Sequence, residues 1–262
     1  MLELFTNITN LLQTAVLAVM LFLVIRLLLK NIDNLTVVFI SFFYSLWFLA
    51  TIFWLVYDVL RPDVRMPFAA NEIGEAGMLL ILAAAVNHAV PHGSRAAIKQ
   101  MIGAVVFAVC NVILWMAWSG EWLQDLITGL VFVWLLSSVV CSLKVIRALT
   151  KTEWILLGIY CAALVAGQSL TFFFEEPVKG RIDLGCYVLL TIGVIYWLVK
   201  LSLAWKRKSP AKKLLALAIT NIVWITVALF MSAGLFYSIY INVETLISVF
   251  LYLAARKVVT ES

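Results

Sequence analysis

Runs of about 20 apolar residues recur along this chain, and each matches the length a helix needs to cross the hydrocarbon core of a bilayer. Lipid offers no hydrogen bonds to the backbone, so a lipid-facing run of this kind must satisfy its own amides as an α-helix. The runs fall at residues 10–30, 35–57, 72–90, 101–118, 123–143, 154–174, 184–205 and 214–238. A last apolar stretch, 239–255, is short. It can be a ninth span, a continuation of the eighth, or an interfacial helix. The expected fold is therefore all-α: a polytopic transmembrane helical bundle of eight spans with the ninth undecided, one integral membrane domain over residues 1–262. Composition agrees, since 65% of the residues are hydrophobic and 13% charged, against about 45–50% and about 25% in soluble domains.

The net charge of +5 could suggest nucleic acid, but the placement of the cations points to lipid. Lys and Arg resist translocation, so they collect in cytoplasmic loops. With the amino terminus outside, the inner segments hold Arg26, Lys30, Arg95, Lys99, Lys144, Arg147, Lys151, Lys200, Lys206, Arg207, Lys208, Lys212 and Lys213. The outer loops hold only Arg61, Arg65, Lys179 and Arg181. Arg256 and Lys257 complete the 19 and favour an inner carboxyl end. The expected location is a bacterial cytoplasmic membrane, multi-pass, amino terminus outside, with no nucleic-acid partner. Lys206-Arg207-Lys208 and Lys212-Lys213 read as an anchor to anionic lipid. Met1-Leu2-Glu3 opens acidic before a span-length run, so no cleavable signal peptide is expected.

Ionisable groups near bilayer depth are costly, which makes them the first candidates for function. The densest set lies at the outer ends of helices two and three: Asp58, Arg61, Asp63 and Arg65, then Asn71, Glu72 and Glu75. Glu72 and Glu75 are three residues apart and share a helix face. Two readings are open. They are capping acids paired with Arg61 and Arg65 at the headgroup level, or they form a proton-accepting, polar-ligand site just below the outer surface. Asn71 reads as an N-cap. Glu244, the only acid in the final apolar stretch, marks either a site or a water-level turn. Gln168 and Asn221 suit interhelical hydrogen bonds.

Other chemistry finds less support. Cys110, Cys141, Cys161 and Cys186 each stand alone in an apolar run and read as small buried side chains. His88 and His92 fall at the inner end of helix three, as exposed loop residues, so no histidine pair on facing spans is available for haem. Their HxxxH spacing lacks an accompanying helical acid, which argues against zinc. No nucleotide loop, GxSxG or HExxH occurs. Glu175-Glu176 with Arg181 is one residue too long for a Glu-Glu-x-x-x-Arg protease motif, and the later histidines are missing. Trp54, Trp118, Trp122, Trp154 and Trp205 sit near span ends, as interfacial aromatics do.

In order of features the chain resembles the membrane-anchor subunit of dimethyl sulfoxide reductase-type molybdoenzymes. The similarity is carried by Leu4-Phe5-Thr6 with Gln13, and by Phe43 with Leu46-Trp47 and Leu49. Leu60-x-Pro62 followed by Arg65 and Phe68, Asn71-Glu72-Ile73, and Leu235-Phe236-Tyr237 extend it. The pattern departs at Asp58, where the family tends to carry a histidine, and at Ser232-Ala233, where it tends to carry Gly-Arg. The resemblance implies a subunit without a redox centre of its own, hence no haem. It would bind and oxidise menaquinol near the outer face. Electrons would pass to an iron–sulfur electron-transfer subunit and a molybdopterin catalytic subunit docked there. On that expectation Asp58, Glu72 and Glu75 accept quinol protons, while Arg61 and Arg65 orient a quinone oxygen or dock the partner. The alternative from another class is a small-solute transporter or a receptor-like membrane sensor.

Overall fold

The computed structural model describes residues 2–60, 68–90, 98–120, 122–232 and 234–261, apart from the side chains of residues 2, 3, 58, 59, 68–72 and 98–100. Among them are nine helices and no strand: α1 (Leu2–Lys30), α2 (Leu35–Leu60), α3 (Phe68–Ala89), α4 (Ile98–Ser119), α5 (Trp122–Val145), α6 (Lys151–Leu170), α7 (Val178–Lys206), α8 (Ala211–Phe230) and α9 (Leu235–Thr260). Eight are long and apolar enough to cross a bilayer, and α3 contributes a shorter apolar helix, Ile73–Ala89. The chain is a multi-pass α-helical membrane protein.

The undecided segment resolves against two of its three readings. The eighth helix stops at Phe230 rather than 238, and the ninth is a full 26 residues. The break is a tight turn in which Gly234 takes φ 58°, ψ −127°, a backbone region essentially reserved for glycine. Hydropathy runs straight through this turn, because Leu235-Phe236-Tyr237 on its far side is as apolar as the helix before it.

Polar contacts between helices show their directions. Thr6 Oγ1 lies 2.9 Å from Ser238 Oγ and Gln13 bonds Glu244, so α1 and α9 run parallel. Asn87 Nδ2 donates to Ser138 Oγ at 2.9 Å between α3 and α5. Asn221 Nδ2 donates to the Trp197 carbonyl at 3.2 Å, tying α8 to α7 as expected of that residue. Gln168 meets Cys186 between α6 and α7. One end of the bundle, here the first end, therefore carries the amino termini of α1, α3, α5, α7 and α9. The described cations lie at the second end, Lys179 and Arg181 excepted, and the ninth helix returns Arg256 and Lys257 there.

Burial sorts the helices. In α8, 15 of the 20 residues are buried, with α3, α5, α7 and α9 packed around it; a helix apolar on every face belongs in the centre. In α6 only Leu164 is buried, so this helix is peripheral and faces lipid. At the second end it is tied to α7 by Glu153. Lys200 Nζ lies 2.5 Å from Glu153 Oε1, and the Tyr196 hydroxyl donates to the same oxygen at 2.9 Å. Glu153 also closes a capping box with Thr150, which starts α6 at Lys151.

Candidate functional site

A cavity of about 240 Å³ opens among α1, α2, α3, α8 and α9, in the half of the bundle nearer the first end. Helix geometry sets its depth. At about 1.5 Å per residue, Glu75 lies roughly 10 Å along α3 and Glu244 roughly 13 Å along α9. Both carboxylates line the cavity, one from each side of the helix cluster.

The walls are mostly flat and apolar. Phe43, Trp47 and Trp54 come from α2, Met78 and Leu82 from α3, Phe230 from α8 and Tyr237 from α9. The Phe43 and Trp47 rings pack 5.2 Å apart. Their spacing along α2 places residues 43, 47, 50, 51 and 54 on one face, and that face turns inward here because α1, α3 and α9 cover it.

The polar part sits on the α1–α9 seam. Thr6 with Ser238 sets the register, and about two turns further along each helix Gln13 meets Glu244, with Gln13 Nε2 donating to Glu244 Oε2 at 3.3 Å. Gln13 is 6% exposed and Glu244 9%. Asn10, one turn from Gln13, also lines the cavity. It is 2% exposed, and its Nδ2 has no hydrogen-bond partner among the described residues. A buried amide donor without an acceptor is costly, so this group is ready for one. Among the described residues lining the cavity there is no Lys, Arg or His. Glu75 and Glu244 give the cavity carboxyl oxygens that a guest's hydroxyl or ammonium group can hydrogen-bond.

Of the expected site residues, Glu75 is the one whose side chain is seen to line the cavity. Asp58 lies in the last turn of α2 and Glu72 in the second turn of α3, both at the first end, with side chains outside the described set. Arg61 and Arg65 lie outside the described residues, as do Asp63 and His92. Two expectations need correction. Helix α3 starts at Phe68, so Asn71 is inside the helix and is not its N-cap; Phe68-Ala69-Ala70 extend it, alanine being the best helix former. His88 is in the last turn of α3 rather than in a loop, though it is exposed as expected, edge-on to Phe39 at 6.1 Å.

Sequence reasoning missed Asn10 altogether. Starting the first helix at residue 10 put Asn10 at the water boundary, whereas α1 begins at Leu2 and carries Asn10 two turns inward. Glu244 was one of two open readings, and the structure places it inside α9 rather than at a turn. Trp54 reads as interfacial from its place near a span end, and here it also lines the cavity.

No family model, curated protein or solved structure matches the chain.

Proposed function

We propose that this protein is a menaquinol-binding membrane-anchor subunit of an oxidoreductase complex, its first end facing outward from a bacterial cytoplasmic membrane. The cavity carries this reading: aromatic walls, the carboxyl groups of Glu75 and Glu244, and the buried amides of Asn10 and Gln13, among apolar helices of membrane-spanning length. At about 240 Å³ it is smaller than the roughly 300–1,000 Å³ of drug-sized sites, which suits one flat two-ring headgroup. Menaquinol is neutral, arrives through the bilayer, and offers two hydroxyl donors that carboxylates accept.

Oxidation of the quinol releases two electrons and two protons. Glu75 accepts a proton inside the cavity, and Asp58 and Glu72 pass protons on toward water at the first end. Arg61 and Arg65 orient a quinone oxygen or dock the partner. The electrons go to an iron–sulfur electron-transfer subunit on that face and then to a molybdopterin catalytic subunit. The competing class is a small-solute transporter or receptor-like sensor, whose ligand would be a hydroxyl or ammonium donor to the same acids.

The test is purification of tagged protein from native membranes in mild detergent. Iron–sulfur and molybdenum subunits are expected to co-purify. Glu75→Gln is expected to lower quinol-dependent turnover about a hundredfold, within the range for loss of a proton acceptor, while the assembly survives. Recovery of the chain alone, with no quinol-dependent activity in any fraction, contradicts the proposal.

A further inference from the structure

We infer that the Asn10 amide holds a ring oxygen of the bound ligand, and that it does so for quinone and hydroquinone alike. This inference rests on the quinol reading above and adds the residue that anchors the headgroup in the cavity.

Asparagines inside spanning helices normally find a partner in the protein, and several do so here. Asn87 Nδ2 donates to Ser138 Oγ, Asn111 Nδ2 to the Phe107 carbonyl, Asn221 Nδ2 to the Trp197 and Leu217 carbonyls, and Asn242 Nδ2 to the Ser238 carbonyl. Gln13, about one turn from Asn10 on α1, donates to Glu244 across the α1–α9 seam. Asn10 differs from all of these. It is 2% exposed, it lines the cavity, and its Nδ2 donates to nothing among the described residues. An unmet amide in such a place weakens the fold, whereas an apolar side chain of the same shape would not. Position 10 therefore has a use for the amide that the protein alone does not supply.

The missing partner must be an acceptor. An ammonium has donors only and leaves the amide unmet. A carbonyl oxygen and a hydroxyl oxygen both accept from an N–H, so the contact forms with either redox state of the ring. It requires no side chain to gain or lose a proton, and it persists as hydroquinone becomes quinone. The terminal torsion of asparagine is broad, which lets the amide turn its N–H to the guest. Phe43 and Trp47 offer the ring flat surfaces, and these do not distinguish one edge from another. Asn10 sets the edge that faces the α1–α9 seam, beside Gln13 and Glu244.

Full-length protein in lipid nanodiscs is dialysed anaerobically against three probes, with binding counted above that of protein-free nanodiscs. The probes are 2,3-dimethyl-1,4-naphthoquinone, its hydroquinone, and 2,3-dimethylnaphthalene, which keeps the rings and lacks both oxygens. The wild type is expected to bind the quinone about fivefold more tightly than the hydrocarbon, the size of one net hydrogen bond. Asn10→Leu is expected to weaken quinone and hydroquinone about fivefold each and to leave the hydrocarbon unchanged. The same variant without ligand is expected to resist denaturing detergent at least as well as the wild type, because it removes an unmet donor. Equal binding of quinone and hydrocarbon to the wild type overturns the inference and leaves the quinol reading standing. So does a loss confined to one redox form, an equal loss for all three probes, or earlier unfolding of the variant, which would make Asn10 a structural residue. Failure of the wild type to bind either oxygenated probe overturns the quinol reading as well.

Discussion

Gly129→Ala should separate two helices. Gly129 lies on α5 against α4, and a methyl added to it would fall inside the surface of Val112 Cγ2, with Cγ1 at 3.1 Å and Cβ at 3.3 Å. Non-bonded carbons prefer about 3.5–4.0 Å. Val112 cannot swing away, because a β-branched side chain in a helix has essentially one rotamer. The helices must therefore part by on the order of 1 Å, undoing the close approach that small residues allow inside membranes. Overpacking of this kind costs about 1–3 kcal/mol. Alanine also improves helix propensity by about 1 kcal/mol, so the useful quantity is the difference from a control. Gly103 on α4 provides one, since an added methyl there meets no atom within 4 Å. Unfolding in mixed micelles titrated with denaturing detergent, followed by tryptophan fluorescence, should show Gly103→Ala neutral or stabilising by up to about 1 kcal/mol. Gly129→Ala should fall about 1–3 kcal/mol below it. Val112→Ala in the Gly129→Ala background should recover part of the loss. Equal behaviour of the two glycine variants would refute the packing register between α4 and α5.

Three further outcomes are expected. Tyr44→Phe removes a fully buried hydroxyl that donates to the Ser248 carbonyl between α2 and α9, and should cost about 0.6–1.5 kcal/mol in the same unfolding assay; no change would mean that α2 and α9 do not meet there. Lys200→Met leaves Glu153 with Tyr196 and its own cap, and should speed amide hydrogen exchange across the first turns of α6 while leaving α8 protected. Unaltered exchange over residues 150–156 would show that α6 is held by other contacts. In a chain freed of its native cysteines, Phe173→Cys at the first end and Lys208→Cys at the second should differ in whole cells. An impermeant maleimide is expected to label the former alone, and the opposite pattern would reverse the membrane orientation.

Helix number and order were largely legible because span length and cation placement are coarse, additive signals. Eight of the nine helices could be located from apolar runs alone. What escaped was local. The α8–α9 break depends on one backbone conformation at Gly234, and a glycine beside apolar residues gives no such notice in sequence. The early start of α1 at Leu2 was hidden by Glu3, Thr6 and Asn7, which look like a polar leader although Thr6 packs against Ser238. The site was legible only in part. Glu75 stood out as an acid near a span end. Asn10, Gln13 and Glu244 gain their meaning from the parallel packing of the first and last helices, a contact between residues more than 200 positions apart that periodicity within one helix cannot reveal.

The most direct test of the cavity as a quinol site is photolabelling. Membranes containing the protein are illuminated with an azido-substituted menaquinone, and the modified peptides are mapped by mass spectrometry. The account predicts adducts on the Phe43–Trp54 face of α2 and at Met78 of α3, suppressed by excess menaquinol. Labelling confined to the lipid-facing sides of α6 and α7, or labelling that menaquinol does not suppress, would contradict it.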